Sequence, residues 1–235
     1  MTSHYNHFNW AQFERCTEKH FDLNRHDRQQ KRTFTRWINQ QFSLVNNDRI
    51  NDLFYDLRNG HRLITLIEIL TGQRLQREKI DRRLHHLQNV RNVLKFLDTN
   101  YDIRLINLRA EDIVDGNATL TLSLLWSIIY KFQIRNKEMI VEWCRKSTNI
   151  NVKDFTYSWR DGSLLASIIR RYRPDLIGDT LQDIDSRQRL ENIFQIAYED
   201  LGIARLLEPE DVDCSHSDEK SILTYVAMLY DRLGD

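Results

Sequence analysis

The chain repeats itself once, at a spacing of about one hundred residues, and this constrains its fold more than any other feature. The segment "DLRNGHRLITLIEIL" at 56–70 resembles "SWRDGSLLASIIRRY" at 158–172. In both, a glycine closes a polar turn and an apolar helix begins. "LQNVRNVLKFL" at 87–97 pairs with "LENIFQIAYEDL" at 190–201, and "AEDIVDG" at 110–116 with "PEDVDC" at 209–214. A helix with tryptophan at its centre precedes each copy, around Trp37 and Trp143. The offsets agree closely: 106 for the tryptophans, 102 for Gly60 and Gly162, 103 for Asn89 and Asn192, 99 for Glu111 and Glu210. Four matching elements in one order imply two homologous domains, and 235 residues leave room for both.

The elements read as helices. Leu190, Ile193, Phe194, Ala197, Tyr198 and Leu201 follow the spacing of one helix face. Only 7 Gly and 2 Pro interrupt the chain, which favours an all-α fold. Each domain is expected to hold about four main helices around a buried central one. In the first copy that helix is 120–132, apolar nearly all round through Leu120, Leu122, Leu124, Leu125, Trp126, Ile128, Ile129 and Phe132. In the second it is 221–233, with Ser217 as its N-cap. The repeated glycines, Gly60 and Gly162, mark turns that need a positive φ.

Formal net charge is zero, but it is split: residues 25–134 carry 18 Lys and Arg against 12 Asp and Glu, and residues 135–235 carry 14 against 19. A basic half suits an acidic partner, and the acidic half can also attract the basic one. No apolar run reaches the roughly 18 residues of a membrane span, and "MTSHYNHFNW" lacks the pattern of a signal peptide. Cys16, Cys144 and Cys214 read as reduced thiols of a cytosolic protein.

At this point the residues carry a family resemblance. Residues 30–235 resemble a tandem pair of calponin-homology domains, the actin-binding region of the spectrin, α-actinin, plakin and dystrophin superfamily. "QKRTFTRWIN" at 30–39 is similar to the family's first signature, and "LINLRAEDIVDGNATLTLSLLWSII" at 105–129 to its second, along its full length. "DFTYSWRDG", "RPDLI", "LGIARLLEPEDVD" and "DEKSILTYV" resemble family text in the second copy. "QQFS", "LTGQRL" and "RKST" look nearest dystrophin and utrophin, while "DEKSI" and "REK" fit plakins and β-spectrins as well. The implied organisation is an extension at 1–29, a first domain at 30–134 and a second at 135–235.

The resemblance implies an F-actin-binding module of a larger cytoskeletal crosslinking or membrane-linking protein, at the actin cytoskeleton or cell cortex. Its first domain would supply most of the affinity, and its second would modulate it by opening and closing. The implied actin contacts are Lys31, Arg32, Thr35, Arg36 and Asn39, opposite the core face of Phe34, Trp37, Ile38 and Phe42. They continue with Asn107 and Arg109 on the approach loop, then Thr119, Ser123, Ser127 and Lys131 where the central helix shows an edge. Arg145 and Lys146 are the third set, facing actin or a phosphoinositide. The alternative is an interaction scaffold with a degenerate actin site.

No enzyme is expected: phosphate-binding glycine loops, HExxH, GxSxG and cysteine pairs are absent from the sequence. His85 and His86 are adjacent and point about 100° apart on a helix, and no histidine spacing fits zinc. A charge excess spread over the whole first domain is too diffuse for nucleic acid. No cofactor or metal is implied.

The connection is shorter than is usual for the family. Only "QIRNKE" separates Phe132 from Met139, with no Gly or Pro. A straight helix over 119–147 would be on the order of 43 Å long at 1.5 Å per residue, and would make a domain-swapped dimer easy. A tight hairpin at 135–137 or a kinked connection are the other solutions. The charge split favours closure and the helix propensities favour continuity; on balance the sequence leans to an extended or partly open pair.

Overall fold

The structure is a computed structural model that describes residues 23–45, 48–103, 105–178 and 184–234. Most of the extension at 1–29 therefore lies outside the described residues. The described residues form helices and connecting loops, without strands.

The first helix, α1 (Arg25–Ser43), is capped by Asn24, whose side chain accepts the Asp27 N–H. It buries two faces. Phe34, Trp37, Ile38 and Phe42 enter the first core, and Gln29, Gln30 and Thr33 are buried as well. A short α2 (Leu53–Asp56), capped by Asp52, leads to α3 (His61–Thr71), α4 (Arg83–Tyr101), α5 (Ala110–Val114) and α6 (Ala118–Ile129). The second domain repeats the order after α7 (Lys137–Thr148). A turn of 3-10 helix at Tyr157–Trp159 precedes α8 (Ser163–Tyr172), α9 (Ser186–Glu199), α10 (Pro209–Val212) and α11 (Glu219–Leu233). Each domain thus has four main helices, with α6 and α11 at the centres; Leu122, Leu124, Leu125, Ile128 and Ile129 in one, and 221–229 in the other, are buried. The cap of α11 is Asp218, not Ser217: its carboxylate accepts the Ser221 N–H at 2.8 Å, while Ser217 is buried one residue earlier.

The repeat is visible in its glycines. Gly60 and Gly162 both sit just before a helix in the left-handed region, at φ 76° and 74°. At Gly60 a β-carbon would stand 2.6 Å from that of Asn89. Buried Asn89 accepts the Glu78 N–H at 2.7 Å and donates to the carbonyls of Asn59 and Glu78. It ties α4 to two loops at once. In the second domain Leu190 and Ile193 pack on Gly162, so an apolar contact replaces a polar one.

The connection bends. After α6 the chain makes one π-helical turn, Tyr130–Ile134, in which the Arg135 N–H reaches the Tyr130 carbonyl at 2.8 Å. Arg135 then takes φ 58°, ψ −54°, and Asn136 caps α7 by accepting the Met139 N–H. Only Arg135 and Asn136 are outside helix, fewer than the six residues counted in the sequence, because Gln133 and Ile134 are buried and Lys137 already begins α7. The two domains lie against each other, which corrects the expectation of an extended or partly open pair. Helix propensity differs by only tenths of a kcal/mol per residue, and the contacts between α11, α1 and the turn outweigh it.

Candidate functional site

The α1 residues singled out in the sequence do different things. Asn39 is committed to its own domain: its amide donates to the Ile50 carbonyl at 3.0 Å and accepts the Ile50 N–H at 2.8 Å, fixing the connection before α2. Thr35 donates to the Lys31 carbonyl one turn back. Lys31 pairs with Asp52 at 2.7 Å, above the Phe54 ring. Arg32 and Arg36 turn to the second domain. Arg32 pairs with Asp211, and Arg36 donates to Glu208 at 2.5 Å and to the Arg205 carbonyl at 3.2 Å. Of these five residues, Arg32 and Arg36 thus face the second domain, and Lys31, Thr35 and Asn39 bond within the first.

Neighbouring contacts on α1 are buried. Gln30 donates to Asp218 at 2.7 Å, Gln29 to the Asp211 carbonyl at 3.3 Å, and Thr33 lies against the Leu206 carbonyl. Asp211 and Asp218 are almost wholly buried, and burying a carboxylate is tolerable only when it is paired or hydrogen-bonded. Asp211 has Arg32 and the Glu208 N–H; Asp218 has Gln30 and the first turn of α11. The acidic partners come from "LEPEDVD" and "SDEK", whose family likeness gives no sign that they form a surface for α1.

The edge of α6 is present. Thr119 is exposed, and Ser123 and Ser127 are half-buried, each bonded to the carbonyl four residues back. Thr119, Ser123 and Ser127 recur every fourth residue and so share a face. Trp126 belongs beside them: it stacks on Phe34 with ring centroids 6.4 Å apart, meets Tyr130, and carries Lys220 of α11 5.5 Å above its ring. It is half-buried, where apolar character alone would place it in the core. Lys131 is exposed on the π turn, and Asn107 (φ 68°) and Arg109 are exposed in the approach to α5.

Arg145 and Lys146 are exposed near the end of α7, at 3.8 and 3.7 Å from Glu142. Arg145 also lines a cleft of about 460 Å³ with Lys137, Lys153, Phe155 and Glu219. Lys137 spans that cleft, bonded to Glu219 at 2.6 Å and lying over the Phe155 ring. His85 and His86 pair separately, with Glu78 and Asp81. Among the described residues no cluster of His, Cys, Asp and Glu is arranged to hold a metal ion, and no helix is long and apolar enough to cross a membrane.

The calponin homology (CH) domain matches this chain twice, over residues 28–134 and 135–235. Microtubule-actin cross-linking factor 1 of Rattus norvegicus is 44% identical over 222 residues, covering 87% of this chain and 4% of that protein. Isoforms 1/2/3/4/5 of the Homo sapiens protein are also 44% identical, over 87% of this chain and 3% of theirs. The chain thus spans a small part of the relatives it matches. Among solved structures, the actin-crosslinking core of Schizosaccharomyces pombe fimbrin has a TM-score of 0.71 at 20% identity, covering 89% of this chain and 49% of that one. At that identity the likeness is one of fold.

Proposed function

The chain belongs to the calponin homology domain family, with two such domains in tandem, and from that premise we propose that it is an F-actin-binding module of a larger cytoskeletal protein. It works by binding and not as an enzyme. Its relatives and its structural neighbour are named for actin cross-linking. The first domain contributes the basic α1 residues Lys31, Arg32 and Arg36, the α6 edge at Thr119, Ser123 and Ser127, and exposed Lys131, Asn107 and Arg109. Positive and hydrogen-bonding groups of this kind suit an acidic filament surface.

One observation carries the regulatory half of the reading. Arg32 and Arg36 are held by Asp211 and Glu208 of the second domain. While those pairs stand, the same guanidinium groups are not available to a filament. Apparent affinity then falls with the fraction of closed molecules, and the second domain is a modulator. The same interface formed between two chains would give a domain-swapped dimer. The Lys137, Arg145 and Lys153 cleft, with Lys146 beside it, is the place for a phosphoinositide headgroup in this reading, and would favour the cell cortex.

Co-sedimentation of the whole chain with actin filaments at moderate salt is the test. Pelleting that saturates supports the module. A folded chain that stays in the supernatant, at every salt concentration, instead makes it an interaction scaffold with a degenerate actin site.

A further inference from the structure

We propose that the hinge between α6 and α7 is a strained two-state element, which the closed pair holds bent and which straightens into helix when the domains part. The proposal rests on the opening and closing described above. It starts from the backbone of Arg135. Its φ of 58° and ψ of −54° do not correspond to the left-handed helical region, and the Asn136 N–H closes onto the Ile134 carbonyl at 2.5 Å. That is a γ-turn with positive φ, a rare and strained conformation. The other non-glycine residues with positive φ among those described are Asp102, Asn107 and Asn149, the types that tolerate it. Arginine does not belong to that set.

Ile134, the first residue of the γ-turn, ends a π-helical turn, a rare form that occurs mostly as single turns. Nothing local asks for either. "YKFQIRNKEM" has no Gly or Pro, and Lys, Gln, Arg, Glu and Met are good helix formers. Local preference and observed conformation disagree, so tertiary contacts must impose the bend. Those contacts are identifiable. Asp231 of α11 accepts from Gln133 Nε2 at 2.6 Å and from Arg135, while Gln133 Oε1 accepts the indole N–H of Trp37 at 2.9 Å. One carboxylate of the second domain thus grips both sides of the π-turn end. When α11 leaves with its domain, that grip leaves too, and the hinge reverts to the helix its sequence prefers. The strain held in the closed form therefore raises the open fraction above what the interface alone would allow.

The test compares Arg135→Ala with Arg135→Gly in the full chain. Both remove the guanidinium from Asp231, so the ion pair cancels in the comparison. They differ in that glycine adopts the positive φ without strain and disfavours helix, while alanine does the reverse. Solution scattering across a salt series gives the extended fraction of each. The expected result is an open-to-closed ratio on the order of tenfold or more higher for alanine than for glycine. Equal ratios, a higher ratio for glycine, or two variants compact at every salt concentration overturn the proposal. Actin co-sedimentation of the same pair separates the two readings. Scattering that differs while pelleting does not would uphold the strained hinge and remove its link to actin affinity.

Discussion

Arg36 and Glu208 meet across the two domains, guanidinium to carboxylate at 2.5 Å, with a second guanidinium nitrogen on the Arg205 carbonyl. The pair is about one-third exposed on either side, so its net worth is modest, on the order of 0.2–1 kcal/mol. Glu208→Gln keeps the shape and removes the charge. The open-to-closed ratio should rise by roughly 1.4- to fivefold, with a matching gain in actin co-sedimentation at low occupancy. Raising salt should expand the wild-type chain in solution scattering and expand this variant less, because one screened attraction is already gone. A variant with the wild-type salt response would show that this pair does not hold the domains.

The fold was largely legible in the sequence, because helix periodicity and the repeat both report core positions. Trp37, Ile38, Leu124 and Ile193 are buried as their spacing requires. The site was less legible, for a physical reason. Sequence spacing gives the face of a helix but not what covers it. Arg32 and Arg36 stand on the polar face of α1, and their partners Asp211 and Glu208 are about 175 positions away. Asn39 is polar on the same helix and is spent on the Ile50 backbone. The bend at 135–137 was one of three solutions open in the sequence, which could not select it, because it runs against local preference and rests on long-range contacts such as Asp231.

The two repeat glycines should respond differently to one methyl group. Both have φ near 75°, so alanine at either position carries the left-handed penalty of about 1–2 kcal/mol. At Gly60 the new β-carbon also meets Asn89 Cβ at 2.6 Å and the Val90 backbone nitrogen at 3.0 Å, neither of which can swing aside. At Gly162 it meets the end of Leu190 at 3.1 Å, which can. Gly60→Ala should cost about 2–4 kcal/mol and Gly162→Ala about 1–2 kcal/mol in urea unfolding. Equal losses would mean that α4 moves away from Gly60 without resistance.

Asp154 anchors the turn before α8, accepting the N–H and hydroxyl groups of both Thr156 and Ser158. Burial works to raise its pKa, but the backbone bonds from Ser158 and Thr156 and the two hydroxyls outweigh it, and the carboxyl is held below its usual range. A depressed folded pKa means that the unfolded chain takes up the proton first. Its contribution is therefore present above the usual carboxylate range and is lost as pH falls through the lowered value. Asp154→Ala should cost about 1 kcal/mol at pH 7, as loss of a helix cap does. The gap between variant and wild type in urea unfolding should close at strongly acidic pH, and a gap independent of pH would locate the effect in packing.

Cys144 lies on α7 with no exposed surface, and burial pushes its thiol up to about 12, against a weaker opposing backbone hydrogen bond. The thiolate is the reactive form, so at pH 8 almost none is present while the second domain is folded. Cys214 is only partly buried. Iodoacetamide at pH 8 followed by peptide mass mapping should therefore find Cys214 alkylated and Cys144 untouched. In rising urea, Cys144 should react only as the second domain unfolds, and its rate then measures that domain's opening. Asp154→Ala should bring its labelling to lower urea, and Gly60→Ala, in the other domain, should move it much less. Early labelling of Cys144 in the unperturbed protein would mean that α7 detaches from its core on its own.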